Sequence, residues 1–366
     1  MEEITEEDKK NLKEICEKNN YKYIDVIGKG GMGYVCLVSK DNHIYAFKIL
    51  LPKNEEEKIV PELVREFRGP NLIKILIENT KKNNNNYYYY FYVMEFSRLG
   101  NIYKFKKCLN DNLMFKDPFE NNVGDNLIRF FALQLVNAIK NLNQGDLGHF
   151  DIKPDNILMF QGLETKLIDF SFLRKLDKKQ GIPGGTAGYI TPEFFKKSLD
   201  LDIETLKKQD YFALGATLYN LKYGKKLIDN YLNLKNDDNN TYNFYNSINY
   251  IQRAMNIISS QPLQDKEFEE FLCNLIQYLP EERPDFENII RNKWLNRNSK
   301  EIKKISDLHN FDEDNLLLEL RKSDFIINYE EKNRKDFDAK KEENKKKYKY
   351  TRKGKFSFGK KGQKIF

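Results

Sequence analysis

Hydrophobic residues along the chain first fall into short alternating runs. Over 21–50, YKYIDVIG, YVCLVS and IYAFKIL mix β-branched, aromatic and polar positions, separated by a glycine cluster and the turn KDNH. This pattern predicts three strands of a small antiparallel sheet. The charged stretch 55–68 predicts a helix whose first turn Pro61 occupies or interrupts. NLIKILIENT and YYYYFYVMEF predict two further strands, joined as a hairpin through KKNNNN, because Asn tolerates turn geometry and builds no core. From about residue 125 the period lengthens, and NLIRFFALQLVNAIKNL sets Leu127, Phe130, Phe131, Leu133, Leu135, Val136 and Ile139 around a buried helix. Helices are predicted from there to Trp294, interrupted at 148–188, where Gly, Pro and short apolar runs predict loops joined by brief strands. Residues 231–247 read as an Asn-rich surface insertion, and no internal repeat runs through the chain.

Composition limits what those elements build. The chain has 366 residues, 40% hydrophobic and 32% charged, enough to bury a core in one large or two modest domains. Its longest unbroken apolar run, Tyr87 to Met94, has eight residues, against the roughly 18 of a membrane span, so no transmembrane segment is expected. The first 20 residues are acidic and lack the basic start and apolar stretch of an export signal. An intracellular, cytoplasmic protein is therefore expected, with the nucleus as the alternative through its basic tail. Cys16, Cys36, Cys108 and Cys273 lie far apart without a CxxC pair, and only His43, His149 and His309 are available to join them. Inert thiols are the expectation, not a zinc site. The net charge of +7 is local: residues 332–366 carry 15 Lys or Arg against 4 Asp or Glu, leaving −4 for the rest.

Gly28-Lys29-Gly30-Gly31-Met32-Gly33-Tyr34-Val35 fits the spacing GxGxxGxV. Without β-carbons, such a backbone approaches phosphate oxygens closely and offers N–H donors. Glycine turns also arise for structural reasons, and the same spacing opens dinucleotide-binding helices; here a strand follows, which favours a flap between antiparallel strands. Fifteen residues after Gly33, Lys48 shares a strand face with Ala46. A small residue beside a cation suits a flat base next to phosphates, while a solvated lysine is the plain alternative.

His149-Phe150-Asp151-Ile152-Lys153-Pro154-Asp155-Asn156 is followed, thirteen residues after Asn156, by Asp169-Phe170-Ser171. Each Asp or Asn singly reads as a turn residue, but together two carboxylates and a carboxamide are hard oxygen ligands of the kind Mg2+ accepts. In this order and spacing the residues resemble the eukaryotic protein kinases, over roughly 21–294. The resemblance implies an α+β, two-lobed protein kinase fold. A small antiparallel sheet with one main helix would form the lobe at about 21–96, and a larger, mostly helical lobe would follow at about 97–294. It also implies ATP and Mg2+ as cofactors and proteins as substrates.

The roles that follow are the family's and are not deduced from composition. Gly28, Gly30 and Gly33 would cover the ATP phosphates, with Val35 and Ala46 in the same ATP-binding set. Lys48 would contact the α- and β-phosphates and pair with a helix glutamate, Glu62 first, with Glu57 and Glu66 still open. Met94, Glu95, Phe96 and Ser97 resemble the hinge that contacts adenine through its backbone. Asp151 would accept the substrate hydroxyl proton, Lys153 would steady the γ-phosphate, and Asn156 and Asp169 would hold Mg2+. Gly185 to Glu193 resembles the end of the activation segment. Asp210 resembles a helix-anchoring aspartate, and Arg283 the arginine that pairs with Glu193; these three are structural.

Three departures stand out. Ser171 replaces the usual glycine of the metal-binding triplet, which restricts the torsions open to that turn, and Thr191 replaces an alanine. Phe150 replaces the arginine that in many kinases binds a phosphate on the activation segment, and residues 172–185 contain no Ser, Thr or Tyr. Both halves of a phosphate switch are missing together, so activity is expected not to depend on phosphorylation of this segment. Lys153 and Thr186 resemble the serine/threonine branch.

The expected division is an acidic N-terminal extension at 1–20, the kinase domain at 21–294, a helical or irregular extension at 295–331, and a basic, disordered tail at 332–366. The tail interleaves Lys with Tyr and Phe, which suits nucleic acid, an anionic lipid surface or an acidic protein; a solvated tail without a partner is the plain reading. The competing function is a catalytically weak pseudokinase scaffold that uses the tail for interaction. Such a scaffold commonly lacks the lysine, the base or a metal ligand, and all are present here.

Overall fold

Thr5 opens the first helix with a reciprocal cap: the Asp8 amide donates to Thr5 Oγ1 at 3.1 Å, and the Thr5 amide donates to Asp8 Oδ2 at 3.1 Å. Glu6, Glu7 and Asp8 in the first turn and Lys18 in the last complement the helix dipole, and the acidic extension forms α1 (Glu6–Lys18). In this computed structural model the described residues are 4–30, 33–50, 69, 71–82, 88–103, 123–160, 163–177, 182–195, 201–227, 249–260 and 265–297. Glu57, Glu62, Glu66, Cys108, the 231–247 insertion and everything after 297, including the basic tail, lie outside them.

Three strands follow where alternation predicts them: β1 (Lys22–Gly30), β2 (Gly33–Lys40) and β3 (His43–Leu50). Asp41 and Asn42, at φ of 48° and 62°, make the two-residue turn between β2 and β3. β4 (Ile75–Lys82) and β5 (Tyr88–Glu95) pair antiparallel, and the sheet order is β1-β2-β3-β5-β4. The first residues of the predicted strand NLIKILIENT are not part of β4. Asn71 takes a left-handed φ of 60°, and its carbonyl accepts from the Leu167 amide at 2.8 Å while the Ile73 amide donates to Leu167 O at 3.0 Å. This stretch therefore binds the larger lobe and not the sheet.

The two faces of the sheet have different partners. Cys36, Val38, Phe47, Ile49, Phe91 and Val93 form one core with Leu12 and Cys16 of α1, where Phe47 and Phe91 stack at 4.6 Å. Each buried Val, Ile, Leu or Phe side chain in it contributes about 1.5–3 kcal/mol. Alternation leaves Val35, Ala46, Lys48 and Met94 to the opposite face, and the register pairs Val35 with Lys48, Ala46 with Met94, and Lys48 with Tyr92.

In the larger lobe, α2 (Val123–Gln144) buries Leu127, Phe131, Leu135, Val136 and Ile139, with Phe130 and Leu133 only half-buried. Four short strands follow, β6 (Leu147–Gly148), β7 (Ile157–Phe160), β8 (Glu164–Leu167) and β9 (Arg174–Lys175), pairing as β7 with β8 and β6 with β9. After α3 (Pro192–Phe195) comes α4 (Ile203–Tyr223), the central helix, buried at Leu206 and from Gln209 to Leu221. Asp202 caps it by accepting from the Thr205 amide at 2.7 Å. α5 (Asn249–Ser260), α6 (Lys266–Leu275), α7 (Phe286–Ile290) and α8 (Lys293–Asn296) complete the described chain. This is the two-lobed α+β kinase fold. Among the described residues no helix is long and apolar enough to cross a membrane.

Candidate active site

The glycine flap divides by physical cause. At Gly33 φ is 150° and a β-carbon would sit 1.9 Å from Ile49 O, so only glycine lets β2 run this close to β3. On Gly30 a β-carbon would meet nothing within 4 Å, and on Gly28 only Val35, at 3.5 Å. Packing does not demand these two glycines, which suits a backbone left bare for close approach of a ligand.

Below the flap Lys48, 6% exposed, forms an ion pair with Asp169 Oδ1 and donates to Ser171 Oγ at 3.1 Å. Asp169 stands at φ 65°, ψ 71°, and caps the short helical turn Phe170–Phe172. Ser171 donates from its hydroxyl to Asp169 Oδ1 and from its amide to the same oxygen at 3.3 Å. Ser171 is not among the residues at positive φ, so the turn accepts its β-carbon without the torsional strain expected for a glycine position. Burial pushes the Asp169 carboxyl up, but the Lys48 charge and hydrogen bond, helped by the Ser171 hydroxyl, outweigh it and hold the group well below the usual carboxylate range.

Asp151 is 4% exposed and fully engaged. Its Oδ2 accepts from Asn156 Nδ2 at 2.8 Å and from Lys153 Nζ at 2.8 Å, while its Oδ1 accepts from Thr186 Oγ1 at 2.6 Å. Lys153 Nζ also donates to Thr186 Oγ1 at 2.6 Å, which ties the Gly185–Glu193 stretch to this carboxylate. Asn156 Nδ2 donates in addition to Asp151 O at 2.8 Å. Pro154 starts the turn that carries Asn156, and the Ile168 amide donates to Asn156 O at 2.9 Å. The β7–β8 hairpin thus sets Asn156 and Asp169 at one end.

Behind the loop, His149 is fully buried, and burial lowers its pKa against the pull of Asp151 and Asp169. Its Nδ1 accepts from the Asp151 amide at 3.2 Å, so its Nε2–H donates to Ile168 O at 3.0 Å. Asp210 accepts from the amides of His149 at 2.7 Å and Phe150 at 2.8 Å, anchoring the loop to α4. Arg283 and Glu193 make a buried two-bond ion pair at 2.6 and 2.8 Å. Thr191 is accommodated by Gln209, whose Oε1 accepts from the Thr191 amide and hydroxyl at 3.0 and 2.6 Å.

At 94–97, the stretch that resembles the hinge, two polar side chains are engaged by the protein's own groups. Glu95 accepts from Lys166 Nζ at 2.6 Å, and Ser97 Oγ donates to Met159 O. Met94, 3% exposed, stays on the Lys48 face.

Sequence reasoning missed two features. Phe150, at φ 63°, is buried with Leu176 and Leu206, against Phe172, Ile182 and Leu201. These residues come from four separate segments and show no shared period, so the one signal was the missing arginine. Tyr92 is 1% exposed on the Lys48 face, and its hydroxyl has no hydrogen-bond partner among the described residues. Of the described thiols, Cys16 and Cys36 are buried, and burial pushes the half-buried Cys273 up to about 11.

Two oxygen donors suit a hard cation. With Asn156 Nδ2 spent on Asp151 and Asp169 Oδ1 on Lys48 and Ser171, Asn156 Oδ1 and Asp169 Oδ2 carry no hydrogen bond among the described residues. No group of three or more His, Cys, Asp or Glu able to hold a metal stands among those residues. A two-donor set fits Mg2+, which completes its shell with water and phosphate oxygens and needs no protein cage.

A two-lobed fold in which a sheet-borne lysine pairs with a loop-borne carboxylate, beside a second loop carboxylate held by its own lysine, defines the class as kinase-like. A family model described as "Protein kinase domain" matches residues 21–295, more than half of the chain, and the chain belongs to the protein kinase family. It is 26% identical over 283 residues to "Serine/threonine-protein kinase Genghis Khan" of Drosophila melanogaster, covering 73% of this chain and 16% of that protein. It is also 27% identical over 231 residues to "Serine/threonine-protein kinase mrck-1" of Caenorhabditis elegans, covering 58% and 14%. With "Serine/threonine-protein kinase MRCK alpha" of Homo sapiens the identity is 27% over 218 residues, covering 57% and 12%. The chain spans under a fifth of the length of these relatives.

Proposed function

We propose that this chain is a protein serine/threonine kinase that transfers the γ-phosphate of ATP to Ser or Thr hydroxyl groups of protein substrates, with Mg2+. The observation that carries this reading is the joining of Lys48 to Asp169 and of Asp151 to Asn156, Lys153 and Thr186 around one end of the β7–β8 hairpin. The relatives named as serine/threonine kinases, and Thr186 beside Lys153, support the hydroxyl class. Nothing observed favours the scaffold alternative, since Lys48, Asp151, Asn156 and Asp169 are all retained.

In this reading Asp151 orients the substrate hydroxyl and accepts its proton, because Asn156 and Thr186 hold the carboxylate in one orientation. Lys153 places a cation beside that carboxylate, where it offsets charge developing on the transferred group. Lys48 supplies the second cation, and Gly28 and Gly30 offer bare backbone above it. Val35, Ala46 and Met94 form the apolar face for the base, while Glu95 and Ser97 contribute backbone groups. Asn156 Oδ1 and Asp169 Oδ2 would hold Mg2+. The bound ion supplies Lewis-acid neutralisation of phosphate charge.

Activity in this proposal does not depend on phosphorylation of residues 172–185. The support is the apolar cluster of Phe150, Leu176 and Leu206, which anchors the start of the segment where a phosphate-binding arginine would need a charged partner. Labelled ATP and Mg2+ with a generic protein substrate test the reading. Transfer is expected from phosphatase-treated protein, and Asp169→Asn is expected to lose about 10²- to 10³-fold. No transfer by the parent chain, or full activity in Asp169→Asn, overturns it. Activity only after phosphorylation in or beside the segment overturns the phosphorylation claim alone.

A further inference from the structure

Ser171 stands where the family carries glycine, and the hydroxyl it adds has two defined partners. It accepts from Lys48 Nζ at 3.1 Å and donates to Asp169 Oδ1. Three donors thereby gather on one carboxylate oxygen: Lys48 Nζ, the Ser171 hydroxyl and the Ser171 amide. The other oxygen, Oδ2, carries no hydrogen bond among the described residues, and 31% of the Asp169 side chain remains exposed. Ser171 itself is 6% exposed, so water does not readily replace a lost partner of its hydroxyl. A glycine supplies the amide alone and leaves the carboxylate freer to rotate about its Cβ–Cγ bond.

We propose that Ser171 is a positioning residue, whose hydroxyl clamps Lys48 and Asp169 together and so fixes Asp169 with Oδ2 directed to the metal-bound nucleotide. The inference rests on the kinase reading above, because it assigns Oδ2 to the metal. Two side-chain bonds to charged partners order the turn before any ligand arrives, and a preordered ligand atom binds its ion at lower entropic cost. The turn-closing bond, from the Leu173 amide to Phe170 O at 3.1 Å, is part of the same unit. It reports on the clamp without any metal present.

The test uses the full chain with Ser171→Gly, Ser171→Ala and Ser171→Thr. Binding of a non-hydrolysable ATP analogue is titrated with and without MgCl2, and amide exchange at Leu173 is followed in the metal-free protein. Gly and Ala are expected to need about tenfold more Mg2+ for half-maximal binding and to exchange the Leu173 amide about tenfold faster, the low end for a hydrogen bond to a charged group because Lys48 and the Ser171 amide still hold Oδ1. Thr, which keeps the hydroxyl, is expected to stay within about threefold of the parent chain on the same scale. Ser171→Gly restores the family's own residue, so misfolding does not obscure the result. If the parent chain binds the analogue with Mg2+ and Ser171→Gly matches it in both readouts, the positioning role is wrong while the kinase reading stands. If the parent chain shows no Mg2+-dependent binding, both fall.

Discussion

Replacing Thr186 with valine removes one hydroxyl and almost no volume, so it isolates the link between the activation segment and Asp151. The parent hydroxyl donates to Asp151 Oδ1 at 2.6 Å and accepts from Lys153 Nζ at 2.6 Å. In the variant, Oδ1 loses its side-chain donor, while Oδ2 keeps Asn156 Nδ2 and Lys153 Nζ, each at 2.8 Å. A hydrogen bond to a charged group is worth about 1.5–3 kcal/mol. Because half of the carboxylate stays held, the lower part of that range applies, and kcat/KM for a peptide substrate is expected to fall roughly ten- to thirtyfold. Thr186 reaches the nucleotide side of the site only through Lys153, which keeps its bond to Asp151 Oδ2 at 2.8 Å, so KM for ATP should hold within about twofold. Steady-state phosphotransfer, varying peptide and ATP separately, measures both constants, and Thr186→Ser should retain most of the activity. A valine variant within threefold of the parent chain, or one whose loss lies in KM for ATP, refutes the assigned coupling.

Other perturbations test the frame around the site. Leu12→Ala, at a residue 4% exposed between α1 and the sheet, should lower stability by about 2–4 kcal/mol in denaturant unfolding; no change would mean that α1 does not cover the sheet in solution. Glu193→Ala strands the Arg283 side chain, itself 0% exposed, and should cost about 3–5 kcal/mol, with Glu193→Ala/Arg283→Met recovering part of the loss. Burial pushes the Asp210 carboxyl up to about 6 from an ordinary 3.8, against the backbone amides of His149 and Phe150. The folded state then holds that proton more tightly than the unfolded chain, so the stabilising contribution present near pH 4 is lost as pH rises through about 6. The stability advantage of the parent chain over Asp210→Asn, which does not titrate, should therefore shrink between about pH 4 and pH 7; a constant or growing advantage contradicts the assigned burial cost.

Much of the small lobe was legible because alternation in a strand specifies a face. The placement of Ala46 and Lys48 on one side of β3, with Phe47 and Ile49 on the other, needs only the two-residue period of a strand. The Asn71 segment was misread for a related reason. Its apolar residues look like those of a strand, but a left-handed torsion at Asn71 and two backbone bonds to Leu167 turn them to the larger lobe. The acidic character of residues 1–20 gave no hint of docking, because a pair of buried positions, Leu12 and Cys16, is too sparse a pattern to read against a charged helix.

By itself the order of residues determined the kinds of groups available to the site and the local elements that carry them: a flap of glycines, a lysine on a strand, oxygen donors on two loops. Which partner each group meets was decided by packing between segments far apart in the chain. Lys48 and Asp169 are separated by 121 residues, and Arg283 and Glu193 by 90. Bonds of such reach leave no periodic trace, since they depend on how the sheet, the β7–β8 hairpin and α4 fit against one another. The Ser171 hydroxyl between two charges and the Phe150 ring in its apolar cluster belong to that second class. A serine or a phenylalanine in a loop looks unremarkable until burial removes water as a partner and leaves only the neighbours that the fold provides.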